Sequence, residues 1–307
     1  MVFFLFSVAS TIVLMLILKL FARFGVQTFP AIVVNYWVCV LVGALVSGRQ
    51  PFSIDVLHAP WFLMAAILGS FFIIGFYAVG MTLQKFSLAI ASIMQKMSLL
   101  ISMPFGILIF SDSFSFWQTI GLVAAFGAII LTNIKFAEKA ATHEIYEDIN
   151  TPQTPTTSAS ITAFDWIFPI LSLLCSGAIE SGLRYTEQEI LKGDAQASAT
   201  FTLVSFGLAG IVGTLFLAIQ MYRGRQSLQI RDVLGGIILG VPNYFSIFFL
   251  IMAFSWQDKS VILPIYSVTI IGISVFLGYS FFKEYLNRLN LLGVGLAIVA
   301  ILLISLA

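Results

Sequence analysis

The sequence predicts an all-α polytopic membrane protein, with ten transmembrane helices arranged as two inverted five-helix repeats. Three observations lead there. First, 60% of the 307 residues are hydrophobic and only 9% are charged. A soluble domain carries about 25% charged residues, so this chain lacks the polar side chains to cover a water-facing globule. Second, the apolar residues run on for about twenty positions at a time, the length that spans a bilayer as a helix. A transmembrane barrel would instead alternate apolar and polar residues. Third, the second half of the chain repeats a pattern of the first.

The first segment, 2–21, opens with "VFFLFSVAS". It has no basic flank and no small-residue cleavage site, and reads as a retained helix, not a signal peptide. The second, 29–47, carries Asn35, Tyr36, Trp37 and Cys39. The third, 60–83, begins beside Trp61, at an end where an interfacial indole belongs, and contains Tyr77. The fourth, 87–110, is apolar except around "SIMQKMS", which holds Gln95 and Lys96. The fifth, 115–134, starts near Trp117 and carries Gly121 and Ala125 at the four-residue spacing of close helix packing.

A polar segment comes next, at 135–163, acidic in the middle and then rich in Pro, Thr and Ser. That composition builds no core and reads as a flexible linker. It divides the chain into a first repeat at 1–134 and a second at 164–307.

The sixth segment, 164–187, contains Trp166, Cys175, Glu180 and Arg184. The seventh, 197–221, has Ser205, Ala209 and Gly213 at packing spacing. The eighth, 232–255, combines Gly236 and Gly240 with "VPNYF", where Pro242 frees a backbone carbonyl beside Asn243 and Tyr244. The ninth, 259–282, holds Pro264 and Tyr266, and the tenth, 289–306, holds Gly293 and Ala297. The two cysteines read as small buried hydrophobes, not as a disulfide or a metal site.

The repeat is visible when Ile93 is laid over Ile265. Ser102 then meets Ser274, Gly106 meets Gly278, Phe110 meets Phe282, Asp112 meets Glu284 and Gly121 meets Gly293, without a gap. Apolar matches arise between any two membrane helices, but the glycines and the loop acid carry information. An odd number of spans per repeat forces the second copy upside down. Inverted repeats with a site between them mark secondary transporters.

The pattern of each half resembles the ten-helix, EamA-like branch of the drug/metabolite transporter superfamily. The residues that carry the resemblance are "TLQKFSLAIASIMQ" and "SWQDKSVILPIYS", the loop acids in "FSDSFS" and "FKEYLN", and the succeeding "IGLVAAFGAIIL" and "LGVGLAIVAILL". Two positions depart from the family pattern. Pro264 has Ser92 as its partner, and the first loop acid is Asp112, not glutamate. The resemblance implies secondary transport of a small metabolite through a cavity between the halves, and both termini in the cytoplasm. It does not imply one substrate.

Lys96 lies about nine residues, roughly 13 Å, into the fourth segment. A charge facing lipid at that depth costs at least ~2.5 kcal/mol, so Lys96 faces protein or a water-filled cavity. It is a candidate to bind an anionic group or change protonation; the alternative is a structural ion pair. Glu180 is the candidate partner and a candidate proton carrier. Arg184, four residues on, shares its helix face and could neutralise it. Asn243 and Tyr244 are candidates to line a cavity, or Asn243 only to bridge helices; Asn35 stands in the same position. Gln95, Gln84, Tyr77 and Tyr266 are further groups that could reach a cavity. Asp112 and Glu284 read as solvated or capping residues.

No nucleotide-binding, zinc-protease or nucleophile-elbow motif occurs, and His58 and His143 stand alone in loops. The sequence thus offers no basis for an enzyme, a cofactor or a metal, and a net charge of +1 offers none for nucleic acid. The expected function is a secondary transporter of a small metabolite or drug-like solute, working by alternating access through a central cavity between the repeats, with Glu180 the candidate for proton coupling if there is any. The alternatives are an uncoupled facilitator, or a membrane-embedded binding or enzymatic protein. The partners expected are the solute, protons and the lipid bilayer of the inner cell membrane, and a monomer suffices. Basic residues oppose the orientation that the resemblance implies, because they crowd the odd-numbered connections.

Overall fold

A computed structural model describes residues 2–48, 54–110, 115–143, 163–192, 194–254, 259–284 and 287–306. Every regular element among them is helical. The order is α1 (Val2–Phe24), α2 (Thr28–Ser47), a single turn α3 (Ile54–Leu57), α4 (Phe62–Lys85), α5 (Leu88–Lys96), α6 (Leu99–Phe110) and α7 (Phe116–His143). After these come α8 (Ile167–Tyr185), α9 (Ala195–Tyr222), α10 (Ile230–Phe254), α11 (Lys259–Phe282) and α12 (Arg288–Leu306). Eight stretches among the described residues are long and apolar enough to cross a membrane, and 116–131 and 288–304 are shorter apolar helices. Their outer faces carry large apolar side chains, with Leu45 75% and Leu108 82% exposed. In water such a surface would aggregate; in a bilayer it is solvated by lipid. The chain is a multi-pass, all-helical membrane protein.

Without a hydrophobic force between helices in lipid, close backbone approach must hold them. The contact of α2 with α10 shows how. A Cβ on Gly236 would sit 2.5 Å from the Ala31 carbonyl oxygen, and one on Gly240 would sit 2.6 Å from Val38 Cβ. On α7, a Cβ on Gly121 would lie 3.1 Å from the Ala300 carbonyl of α12. Ala125 and Ala128 of α7 pack with Ala297, Ala300 and Ile301 of α12 in one buried cluster. The spaced small residues are therefore packing surfaces. Cys39 and Cys175 are buried free thiols, as expected from their apolar surroundings.

Helix pairing is extensive around a second, larger core. α1 and α2 both pack on α10, α8 packs on α4, and α9 packs on both α2 and α4. α5 packs on α8 and α11, while α7 pairs most closely with α12, which also packs on α11.

Two elements differ from the sequence expectation. The fourth segment is not one helix. It stops at Lys96 and resumes at Leu99, with a tightened turn in which Leu100 N–H donates to Met97 O and Ile101 N–H to Ser98 O, each at 2.9 Å. No glycine or proline marks the place; Pro104 lies inside α6. The second difference is that α7 continues to His143, through the first residues of the expected linker. The run "KFAEKAATH" is rich in Ala, Lys and Glu, which favour helix. The remainder of that segment, from 144 to 162, lies outside the described residues, as do Asp112 and Trp256.

The face that carries the ends of α1, α4, α9 and α11 is tied by three polar clusters. Lys19 of α1 pairs with Glu284, just past α11, and donates to the carbonyls of Leu83 (3.2 Å) and Phe86 (3.0 Å). Glu284 also accepts from the Leu88 N–H at 3.0 and 3.1 Å, so it caps the start of α5. Negative charge belongs there, because the first N–H groups of a helix lack partners. A left-handed Lys283 (φ 51°) turns the chain back, and the Glu284 N–H returns to Gly278 O at 2.9 Å. Gly278 leaves room for the Glu284 carboxylate, which a Cβ there would displace. In the second cluster Lys85 pairs with Asp165 ahead of α8. In the third, buried Asp232 accepts from Gln27 N–H at 2.7 Å and Gln229 N–H at 2.9 Å, joining the starts of α2 and α10.

Candidate functional site

Lys96 is the last residue of α5, where the partial negative charge of the helix end favours a cation. Its ammonium lies 4.8 Å from the centre of the Tyr266 ring on α11, a cation–π distance. Tyr266 is buried, and its hydroxyl shares a 2.6 Å hydrogen bond with Thr11 of α1. Ser7, one turn earlier on α1, donates to the Ser246 carbonyl of α10 at 2.7 Å. The helix break thus places a lysine where α1, α5 and α11 converge.

Glu180 of α8 faces Lys96, and the hydroxyls of Ser98 and Ser102 face the same carboxylate. Ser98 belongs to the break itself. The Lys96–Glu180 interaction is at longer range than the contact ion pair of Lys19 with Glu284. Lys96 is half-buried and Glu180 exposed, although both lie inside the segments that cross the membrane. The arrangement brings a lysine, a carboxyl group, two hydroxyls and an aromatic ring together inside the helix bundle. Gln95 is half-buried beside Lys96, and Arg184 is half-buried one turn beyond Glu180.

The other candidates stand elsewhere. Asn243 Nδ2 donates to Asn35 Oδ1 at 3.1 Å, and both side chains are buried. They bridge α10 to α2, with Cys39 donating to the Gly240 carbonyl at 3.5 Å beside them. Tyr244 packs on Gly43 of α2 and stacks on Phe248 at 5.8 Å. Tyr77 sits edge-on to Phe29 (5.5 Å) and Phe168 (6.3 Å), linking α4 to α2 and α8. Gln84 donates to Thr28. The structure brings Lys96, Glu180 and Tyr266 together and leaves Asn35, Asn243, Tyr244 and Tyr77 in helix–helix contacts.

Sequence reasoning missed Thr11, Ser98 and Ser102 at the site. Their signal was only a hydroxyl in an apolar run, which a membrane helix tolerates by bonding to its own backbone. Thr82, Ser205 and Thr214 do that, each donating to the carbonyl four residues earlier.

No protein-family model matches the chain. The chain is 25% identical over 209 residues to an uncharacterised protein of Haemophilus influenzae. That similarity covers 67% of this chain and 62% of the relative, so it spans less than two thirds of the relative's length. The fold defines the class as a multi-pass helical membrane protein.

Proposed function

We propose that the protein is a secondary transporter of a small polar or ionisable solute, of the EamA-like drug/metabolite transporter kind. It would cross the inner cell membrane ten times as two inverted five-helix repeats and work by alternating access. The observation that carries the reading is Lys96 facing Glu180 at a break in a membrane helix, one residue from each half. Interrupted helices near the bilayer midplane form the solute sites of many transporters. Irregular backbone at that depth persists where it lines a cavity or is buried in protein.

Helix pairing supports the repeat. If spans one to five correspond to spans six to ten, then α1 on α10 is the counterpart of α8 on α4, and both contacts exist. In the same way α2 on α10 corresponds to α9 on α4, and α7 pairs with its own counterpart α12. In that last pair Ala125 and Ala297, and Ala128 and Ala300, occupy equivalent repeat positions in one cluster. A pseudo-two-fold axis in the membrane plane would produce these pairings.

In this reading the three polar clusters close one face of the cavity. Glu180 carries the coupled proton, Lys96 holds the solute's anionic group, and no enzymatic step is involved. The test is solute counterflow into proteoliposomes, using metabolites chosen by their effect on the melting temperature. Accumulation by wild-type protein and its loss in Lys96→Ala are expected. Equal accumulation in both would remove Lys96 from the mechanism, and none by wild type with any stabilising metabolite would remove the transporter reading.

A further inference from the structure

A groove of about 540 Å³ runs between α4, α6 and α8. Its walls are hydrocarbon and aromatic, including Leu68 and Phe71 of α4, Ile101 and Phe105 of α6, and Ala178 of α8. Ser181 and Tyr185 are its polar side chains. Ser181 is 4% exposed and its hydroxyl has no hydrogen-bond partner. Water needs two to four polar partners to occupy a cavity, and these walls do not supply them.

The groove is separate from the polar site. At 3.6 residues per turn, Ala178, Ser181, Gly182 and Tyr185 share one side of α8, and Glu180 points from the other. Behind the groove the helices touch closely. A Cβ on Gly182 would lie 2.6 Å from Leu68 Cδ2, and one on Gly177 would lie 2.5 Å from Ile101 Cβ. The mouth, in contrast, is flanked by Leu63, Ile67, Leu108 and Ile109, all exposed. The groove is continuous with the lipid-facing surface.

Its length points to the occupant. The lining runs from Met64 to Phe71 on α4, from Ile101 to Ile109 on α6 and from Ala178 to Tyr185 on α8. Seven to eight residues rise about 11 Å, most of one leaflet of a ~30 Å hydrocarbon core. We propose that the groove holds one acyl chain of a membrane phospholipid, lying along the bilayer normal between α4 and α6, with α8 as its floor. The acyl chain supplies the packing that side chains do not provide there. Because α8 comes after the linker and α4 and α6 precede it, the lipid sits at the seam between the two halves of the sequence.

The test uses the full chain, purified in detergent, washed free of lipid and titrated with phosphatidylethanolamine under native mass spectrometry. Wild type is expected to retain one phospholipid. Ala178→Phe, whose ring fills the groove, is expected to retain about fivefold less or lower still. Ser181→Ala is expected to bind as well as wild type or better, because it removes an unpaired hydroxyl from an apolar wall. Weaker binding by Ser181→Ala would mean that the groove takes a ligand with a polar group there, and would overturn the acyl-chain assignment. So would detergent alone on wild type, or an undiminished adduct on Ala178→Phe. If Ala178→Phe is not monodisperse, Phe71→Trp decides. Its added fluorescence is expected to be quenched by phospholipid brominated on the acyl chain, and no quenching beyond the wild-type level overturns the proposal.

Discussion

The ammonium of Lys96 lies 4.8 Å from the centre of the Tyr266 ring. The two residues come from opposite halves of the chain, and the tyrosine is fixed in turn by Thr11 at 2.6 Å. The ring face attracts the ammonium where no carboxylate is in contact with it. Its hydrogen-bond donors remain available to a solute.

Lys96→Ala is therefore expected to reduce solute uptake roughly tenfold or more, the worth of one lost charge-assisted hydrogen bond. The variant should elute as a monodisperse species. Tyr266→Phe keeps the ring and loses only the Thr11 bond, so it should retain more activity than Tyr266→Leu. Uptake rates in proteoliposomes check both. Equal losses in the two tyrosine variants would mean that the ring does not hold Lys96.

Glu180 yields a different expectation. If its carboxylate carries the coupled proton, Glu180→Gln should still exchange solute but no longer accumulate it against an imposed pH gradient. The comparison is exchange against gradient-driven uptake in the same vesicles. Gradient-driven uptake at the wild-type level would leave Glu180 as a structural partner of Lys96 or Arg184.

The Lys19–Glu284 pair should behave as a latch. Breaking a partly buried pair from one side costs about 3 kcal/mol, and Glu284→Gln also weakens the cap on Leu88 N–H. The melting temperature is expected to fall. A cysteine placed at Ile90, now 1% exposed, should react faster with a water-soluble maleimide. The charge-swapped double variant Lys19→Glu with Glu284→Lys should recover part of the melting temperature but not the cap. Unchanged labelling in Glu284→Gln would show that the pair does not hold this face closed.

Much of this architecture was legible in the sequence, because a membrane helix announces itself by length and apolarity alone. The span expected at 29–47 is found at Thr28–Ser47, and that at 259–282 at Lys259–Phe282. Gly236 and Gly240 were legible too, since four-residue spacing of small residues has one main use in lipid. The break after Lys96 was not. Met97 carries no turn chemistry and one serine, Ser98, is a weak turn signal in a membrane helix, so the interruption depends on what packs around it. The Lys19–Glu284 latch was hidden for a related reason. Glu284 is recognisable as a capping type of residue, but the helix it caps, α5, lies far away in sequence. Asn35 and Asn243 were ambiguous between cavity and bridge; their 3.1 Å contact joins α2 to α10, and the Asn35 Nδ2 is left without a partner.

Orientation sets the last expectation, because two physical arguments oppose each other. The odd-numbered connections and flanking helix ends hold Lys19, Arg23, Lys85, Lys135, Lys139, Arg223, Arg225, Arg231, Lys283 and Arg288, against Arg49, Arg184, Lys192 and Lys259 on the even side. Counted as they stand, these charges would put the odd side in the cytoplasm and the termini outside. The structure trims that count by one, because Lys19 lies inside α1 and not in a connection; the excess on the odd side remains. The EamA-like reading proposed above would put both termini in the cytoplasm. A C-terminal fusion to a reporter that fluoresces only in the cytoplasm is expected to be bright, and a fusion to an enzyme active only outside is expected to be silent. The opposite pair of results would make the remaining arginines and lysines, and not the family pattern, the determinant of topology. The variant Arg223→Ala with Arg225→Ala and Arg231→Ala would then be expected to invert it.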